Sequence, residues 1–253
     1  MLDISHILKN WEYSSEDITV RLIEGADKRL KVQMRLDLGL LQMEYTGRPD
    51  GKQPYGFESL LEYFQHQQEE HARASGKGDF FLDPDDCEAL RRESLQYYYR
   101  YLSLFHLQEY EAVERDTARN LRLFDFLKKY AERQEDKLSL EQYRPYVHMM
   151  NARSAAQRLL ELNRCEEAVR RIEDSIEKIR EFFRELGRID LADKCGEVLF
   201  LKKFAQDIHA NWKSDPVGEL RKKMKDAVER EDYETAAIIR DEIKKLLRNH
   251  IKT

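Results

Sequence analysis

Hydrophobic positions along this chain keep two different periods. Near the N-terminus Ile18, Val20 and Leu22 alternate with polar residues, and Glu24-Gly25-Ala26-Asp27 reads as a turn. A second alternating run follows through Leu30, Val32, Met34, Leu36, Leu38 and Leu40. Period two places one set of side chains on one face of a strand. The phase flips at Leu40-Leu41, after which Leu41, Met43 and Tyr45 carry the series on. The flip predicts a β-bulge near Gly39. Gly47-Arg48-Pro49-Asp50-Gly51 then ends the strand with turn-forming residues. A small antiparallel sheet is expected, at least a hairpin, packed on the following helix or paired with a second subunit, because two lone strands are marginal in water.

From Phe57 the period becomes helical. Phe57, Leu60, Leu61 and Phe64 form one stripe, and Ser75-Gly76-Lys77-Gly78-Asp79 reads as a linker. Asp83-Pro84 predicts the next helix start, with Asp85 and Asp86 in the favourable first turn. Its buried face is expected at Leu90, Leu95, Tyr98, Tyr101, Leu102 and Phe105. A turn near Gln108 leads to a helix over Tyr110–Tyr130 carrying Val113, Leu121, Phe124 and Leu127. Ser139-Leu140-Glu141-Gln142 has capping-box spacing and predicts a helix running to Leu162. Further helices are expected over Glu166–Leu186, ended by Gly187, and over Asp190–Trp212.

The C-terminal segment LRKKMKDAVEREDYETAAIIRDEI, Leu220 to Ile243, carries the densest pattern. Asp215-Pro216 predicts a helix start. Leu220, Met224, Ala227 and Val228 fall at three- and four-residue steps. Glu229-Arg230-Glu231 is polar, and Asp232 is placed to cap a second helix bearing Tyr233, Ala236, Ala237, Ile239, Ile243 and Leu246-Leu247. The alanines are expected to let the helices approach, Tyr233 to close the turn, and Arg240 with Asp241 to bridge the helices or cover the ends of the seam. A module this short needs support from a second copy, the rest of the chain or a partner.

These residues resemble the UVR motif of UvrB, UvrC, ClpC-type unfoldase ATPases and McsA-type activators. The matching positions are Leu220, Met224, Ala227-Val228, Asp232-Tyr233-Glu234, Ala236-Ala237, Arg240-Asp241 and Ile243. Tyr233 replaces a commoner Phe, and Val228 a frequent Ala. The resemblance implies a protein–protein docking element, with Leu220, Met224, Ala227, Asp232, Tyr233, Glu234, Ala236, Ala237, Arg240, Asp241 and Ile243 as its partner-binding residues. It implies UvrB/UvrC-type or Clp-type partners. More weakly, the run SAAQRLLELNRCEEAVRRIEDSI resembles a tetratricopeptide repeat, with Ala156, Leu159, Ala168 and Ile172 at packing positions. A repeat-ending proline is missing.

Composition narrows the classes. Charged residues make up 37% of the 253, with 10 Gly and 5 Pro, which favours helices. The 41% apolar content, periodically placed, argues against disorder despite a mean hydropathy of -0.78. A net charge of -5 gives no electrostatic footprint for nucleic acid, and the segment from Pro216 onward has ten Lys or Arg against eight Asp or Glu. No apolar run is long enough to cross a bilayer. The opening residues MLDISHILKNWEY lack signal-peptide features. Cys87, Cys165 and Cys195, odd in number, fit a reducing cytoplasm.

No catalytic constellation emerges. His66 and His71 are five apart, whereas a helical zinc site needs four. His106 and His148 sit in aromatic and Met-rich helical surroundings. Gly76-Lys77-Gly78 is too short to cradle phosphate, and the cysteines lack zinc spacing. Tyr97, Tyr98 and Tyr99 are consecutive on a helix and point three ways, so they form no stacking platform.

The reading is therefore a mainly α protein (α+β): an N-terminal region, 1–78, with a β-hairpin or sheet; a helical-hairpin domain, 79–213; and a UVR-like hairpin, 214–253. The expected role is a non-enzymatic, cytoplasmic, bacterial adaptor without cofactor or metal, open to homodimer formation. Two alternatives stay open: an accessory factor of excision repair with weak DNA contact, and a regulator of a ClpC-type quality-control ATPase. An enzyme centred on the N-terminal sheet is the third class.

Overall fold

In a computed structural model that describes residues 3–75, 80–213 and 216–250, the alternating N-terminal pattern forms a three-stranded antiparallel sheet in the order β1-β2-β3. The strands are β1 (Val20–Glu24), β2 (Leu30–Leu36) and β3 (Gly39–Glu44). The bulge expected near Gly39 is instead a tight hairpin turn at Asp37-Leu38, because Leu36 pairs with Gly39. Met34 faces Leu41 and Val32 faces Met43. Even-numbered residues of β2 thus share a face with odd-numbered residues of β3, which is why the phase flips. Leu38, read as a strand residue, stands at the turn 93% exposed.

The sheet has two unlike faces. Val32, Met34 and Met43 are buried with Tyr101, Leu104, Val113 and Met150, and Val20, Leu22 and Leu41 pack around them. On the other face Arg21 Nε donates to Gln33 (2.8 Å) and Gln33 Nε2 donates to Gln42 (2.8 Å), a polar row across all three strands. The Trp11 ring covers the Arg21 guanidinium at 3.9 Å, just after the short helix α1 (Ser5–Leu8).

The remaining elements are helical: α2 (Leu60–Ser75), α3 (Pro84–His106), α4 (Tyr110–Tyr130), α5 (Gln134–Leu138), α6 (Arg144–Glu161), α7 (Cys165–Glu185), α8 (Ile189–Ala192), α9 (Gly196–Lys213), α10 (Pro216–Glu229) and α11 (Tyr233–His250). Asp83 caps α3 by accepting from Asp86 N–H at 2.8 Å, with Pro84 in the first turn. The capping box expected at Ser139 does not form. Ser139 ends α5, its hydroxyl donating to Asp136 O at 2.8 Å. The next α-helix begins only at Arg144, which keeps Pro145 in a first turn, where its missing N–H costs nothing. The single helix expected over 190–212 is broken between α8 and α9, where Asp193 accepts from Arg180 and Lys202 (both 2.8 Å). The linker at 76–79 and the cap Asp215 lie outside the described residues.

The chain forms two units, Met1–Ala155 and Ala156–Thr253, a division that falls inside the second of the three expected segments. In the first, Leu61 and Phe64 of α2, Leu90 of α3 and Leu123, Phe124 and Leu127 of α4 share an apolar core. In the second, α7 buries Ala168, Val169, Ile172, Ile176, Ile179 and Phe182 at three- and four-residue steps. α9 packs against α7 and buries Val198, Leu201 and Ile208.

Charges also occupy the interior of the first unit. Arg100 on α3 makes a two-pronged pair with Asp116 on α4 (Nε–Oδ2 2.7 Å, Nη2–Oδ1 2.8 Å), and both side chains are 1% exposed. Its Nη1 donates to the carbonyls of Glu44 (3.0 Å) and Gly47 (2.7 Å), tying the sheet to the helices. Two turns earlier on α3 Glu93 is fully buried and pairs with Arg119 and with Arg48 (2.8 Å). The same carboxylate accepts from Leu60 N–H (2.8 Å) and Leu61 N–H (3.3 Å), capping α2 from a different helix. Tyr97 lies between the pairs, with Arg119 4.0 Å and Arg100 4.8 Å from its ring centre. Burial pushes the Tyr97 hydroxyl up to about 12.

Removing one partner of such a pair strands the other in the core. Asp116→Ala should therefore lower stability by about 3–5 kcal/mol in urea denaturation. Arg100→Met with Asp116→Leu should recover most of that loss, since no charge is then left alone. A single-variant loss below about 1 kcal/mol would contradict this account.

Candidate functional site: the C-terminal helical hairpin

The hairpin of α10 and α11 is built by local backbone chemistry. α10 ends in a left-handed residue, Glu231, at φ 59°. Glu231 N–H donates to Val228 O (3.0 Å) and Asp232 N–H to Ala227 O (2.9 Å), the bond pattern of a Schellman end. Asp232 then caps α11, accepting from Thr235 N–H at 3.1 Å. The hydrogen bonds from Thr235 hold the Asp232 carboxyl below the usual carboxylate range. The same device recurs at Gln108, Asn163 and Gly187, each left-handed and each followed by a bond back across five residues.

Between the helices lies a narrow seam. Ala227, Ala236, Ile239 and Ile243 are buried, and Leu220, Met224 and Ala237 are half-buried. The small alanines allow the two helices to approach closely along their shared seam. α10 also packs against α9. The side chains of Leu246 and Leu247 lie outside the described residues.

The expected site residues thus divide into two groups. Ala227, Ala236 and Ile243 hold the helices together, whereas Asp232, Tyr233, Glu234, Arg240 and Asp241 are exposed. Tyr233 does not close the turn; it stands 67% exposed, and Glu231 and Asp232 make the closure instead. Arg240 and Asp241 do not bridge the helices. They pair with each other on α11 (Nε–Oδ1 2.9 Å), both exposed. Val228 (48% exposed) and Ile238 (64% exposed) join Tyr233 as open apolar groups. Ile238 escaped the sequence reading. The signal was present: in Ala236-Ala237-Ile238-Ile239 four consecutive apolar residues sweep round a helix, so one must face away from the seam.

Other candidate chemistry stays apart. His66 lies 5.1 Å from Phe57 and His71 6.1 Å from Phe80, so the two histidines lean on different rings. Tyr97 and Tyr101 are buried, while Tyr98 packs edge-on to Tyr101 at 5.5 Å. Cys87 is buried, and its thiol is pushed up to about 11 by that burial. Among the described residues no group of His, Cys, Asp or Glu is arranged to hold a metal ion, and no helix is long and apolar enough to cross a membrane.

Two consequences can be measured. Glu231→Gly removes the left-handed penalty on a side chain and should stabilise the hairpin by about 1 kcal/mol, read as slower amide exchange in α11; unchanged or faster exchange would contradict the turn geometry. Asp232 has a lowered carboxyl pKa in the folded hairpin, so its contribution is present above the unfolded value of about 4 and is lost as pH falls through the folded value. Protection of α11 should drop in that acid range, and Asp232→Asn should flatten the drop.

Residues 215–248 match the UVR family, described as the UvrB/uvrC motif. No curated protein and no solved structure matches the chain. The C-terminal hairpin is a UVR module, a fold element associated with protein interaction in UvrB, UvrC and Clp proteins.

Proposed function

We propose that the chain is a non-enzymatic adaptor that docks a partner protein through the outer side of its UVR hairpin. The observation that carries this reading is the split of the motif into a closed seam and apolar side chains left in solvent on both helices. Ala227, Ala236, Ile239 and Ile243 are consumed by folding, while Val228, Tyr233 and Ile238 remain in solvent. Exposed apolar side chains flanked by charges such as Arg240 and Asp241 suit a contact with a polar rim. The net charge of -5 favours a protein partner over a phosphate backbone. The module is common to excision-repair and Clp-type proteins, so UvrB, UvrC and a ClpC-type ATPase are the partners to try first.

The test uses the full chain against each purified partner, with wild type beside a Tyr233→Ser, Ile238→Ser variant. At least one partner should bind wild type and bind the variant roughly tenfold or more weakly, the value of about 1.5–3 kcal/mol per buried apolar side chain being partly recovered in a contact. Helical content should be unchanged. A variant that keeps every partner at wild-type affinity would overturn the reading. For the repair alternative, affinity for DNA should fall steeply with salt; a flat response excludes phosphate contact.

A further inference from the structure

The sheet of the first unit has two outer strands, and their edges are not alike. At the end of β3 the backbone groups are taken up: Glu44 N–H donates to Pro49 O at 2.8 Å, and Glu44 O accepts from Arg100 at 3.0 Å. At β1 the phase of the ladder decides which groups are free. Arg35 N–H donates to Thr19 O and Gly25 N–H to Arg29 O, both at 2.8 Å. Positions 19, 21, 23 and 25 therefore bond inward, and Val20, Leu22 and Glu24 direct their N–H and C=O groups outward. Among the described residues nothing bonds to these outward groups.

An open edge is a template for another strand, and proteins blunt it with proline, bulges or charge. β1 reads Val-Arg-Leu-Ile-Glu, without proline. Its register with β2 runs unbroken from Val20↔Met34 to Glu24↔Leu30, so it holds no bulge. Its one basic side chain, Arg21, is engaged by Gln33 and covered by the Trp11 ring. Ile18, Val20 and Leu22 pack against the core yet remain half-buried. A further strand would continue their apolar face.

Charge selects what pairs here. Glu16 and Asp17 stand just before β1, and Lys28 stands in the turn after it. All three are exposed, and none has an ion-pair partner among the described residues. Asp27 in the same turn is already engaged by Arg29 and Lys31, both at 2.8 Å. When two copies of β1 lie antiparallel about Leu22, the Lys28 turn of each falls beside the acidic lead-in of the other. That register sets Val20 against Glu24, Arg21 against Ile23 and Leu22 against Leu22, so no like charges face each other. Centring on Arg21 would oppose two guanidiniums, and in-register parallel pairing would bring Lys28 beside Lys28.

We propose that β1 is a dimer edge, pairing antiparallel with β1 of a second copy of this chain so that the two sheets become one. Val20 of each copy exchanges N–H···O bonds with Glu24 of the other, and the two Leu22 residues exchange theirs on the two-fold axis. Lys28 of each copy faces Glu16 and Asp17 of the other. The contact uses no residue of the UVR hairpin, and the dimer carries two such hairpins.

Amide exchange followed by NMR on the full chain, dilute and concentrated, together with the mass from sedimentation, tests this. The Arg21 and Ile23 amides should be protected in both samples, because they bond within the sheet. The Val20, Leu22 and Glu24 amides should exchange freely when dilute and become protected as the mass doubles. Glu24→Pro removes an outward N–H and no bond to β2, so it should weaken the dimer roughly tenfold while Arg21 and Ile23 stay protected. Lys28→Glu should weaken the dimer severalfold, as should Glu16→Lys with Asp17→Lys. The three charge changes together should restore it, a rescue that damage to the fold would not give. Tyr233→Ser with Ile238→Ser should leave the dimer intact, which separates this edge from the hairpin. A chain that stays monomeric when concentrated, a dimer whose Val20, Leu22 and Glu24 amides remain open, or protection that appears only when a different protein is bound would each overturn the proposal.

Discussion

Two helices in a hairpin share one seam, and a seam one residue wide can cover only one side of each. That constraint shapes the C-terminal module. Ala227 and Ala236 bring α10 and α11 close, and Ile239 and Ile243 fill what space remains. Val228, Tyr233 and Ile238 fall on other faces of the two helices and are turned outward. Folding of the module buries one face of each helix and leaves these three apolar side chains outside. Larger side chains at 227 or 236 would spread the helices and change both.

The first unit solves a different problem. A three-stranded sheet and a long helical hairpin must be joined through a loop with little apolar content. Beside the apolar contacts of Val32, Met34 and Met43 with the helices, charge fixes the join: Arg100 links α3 and α4 to the C-terminal end of β3, and Glu93 links α2, α3, α4 and the loop through Arg48 and Arg119. Buried pairs of this kind contribute little net stability compared with apolar substitutes, but they penalise every arrangement that leaves a charge alone. They act here on the position of backbone atoms, since Arg100 and Glu93 bond to carbonyls and N–H groups of the loop and of α2.

What the sequence disclosed follows the range of the interactions concerned. The span of α4, the cap at Asp83, the end of α7 at Gly187 and the cap at Asp232 all depend on neighbours within a turn, and each was legible. The UVR hairpin was legible through its motif, yet its division into seam and strip was not, because it depends on which of several adjacent apolar residues face the partner helix. The β-hairpin was misread as a bulge since both flip the hydrophobic phase by one residue; only pairing of Leu36 with Gly39 tells them apart. The false start at Ser139 came from weighing a four-residue motif without Pro145 beyond it. Glu231 adopts a glycine-like conformation that its residue type does not announce, whereas the turn at Gln108 was legible and Asn163 is of a type that tolerates the left-handed region. The ionic core was illegible for a related reason: Arg100, Asp116 and Glu93 look like members of solvated helix faces until the helices are placed together.

The central claim is that one side of α11 faces a foreign polypeptide while the neighbouring side faces α10. A photo-reactive benzophenone residue placed at position 238, and separately at position 239, tests it directly in the native cell. The account predicts that position 238 cross-links to a second protein and that position 239 yields only links within the chain. If position 238 reacts solely with its own chain, or if both positions capture the same outside protein equally, the division into seam and docking strip is wrong.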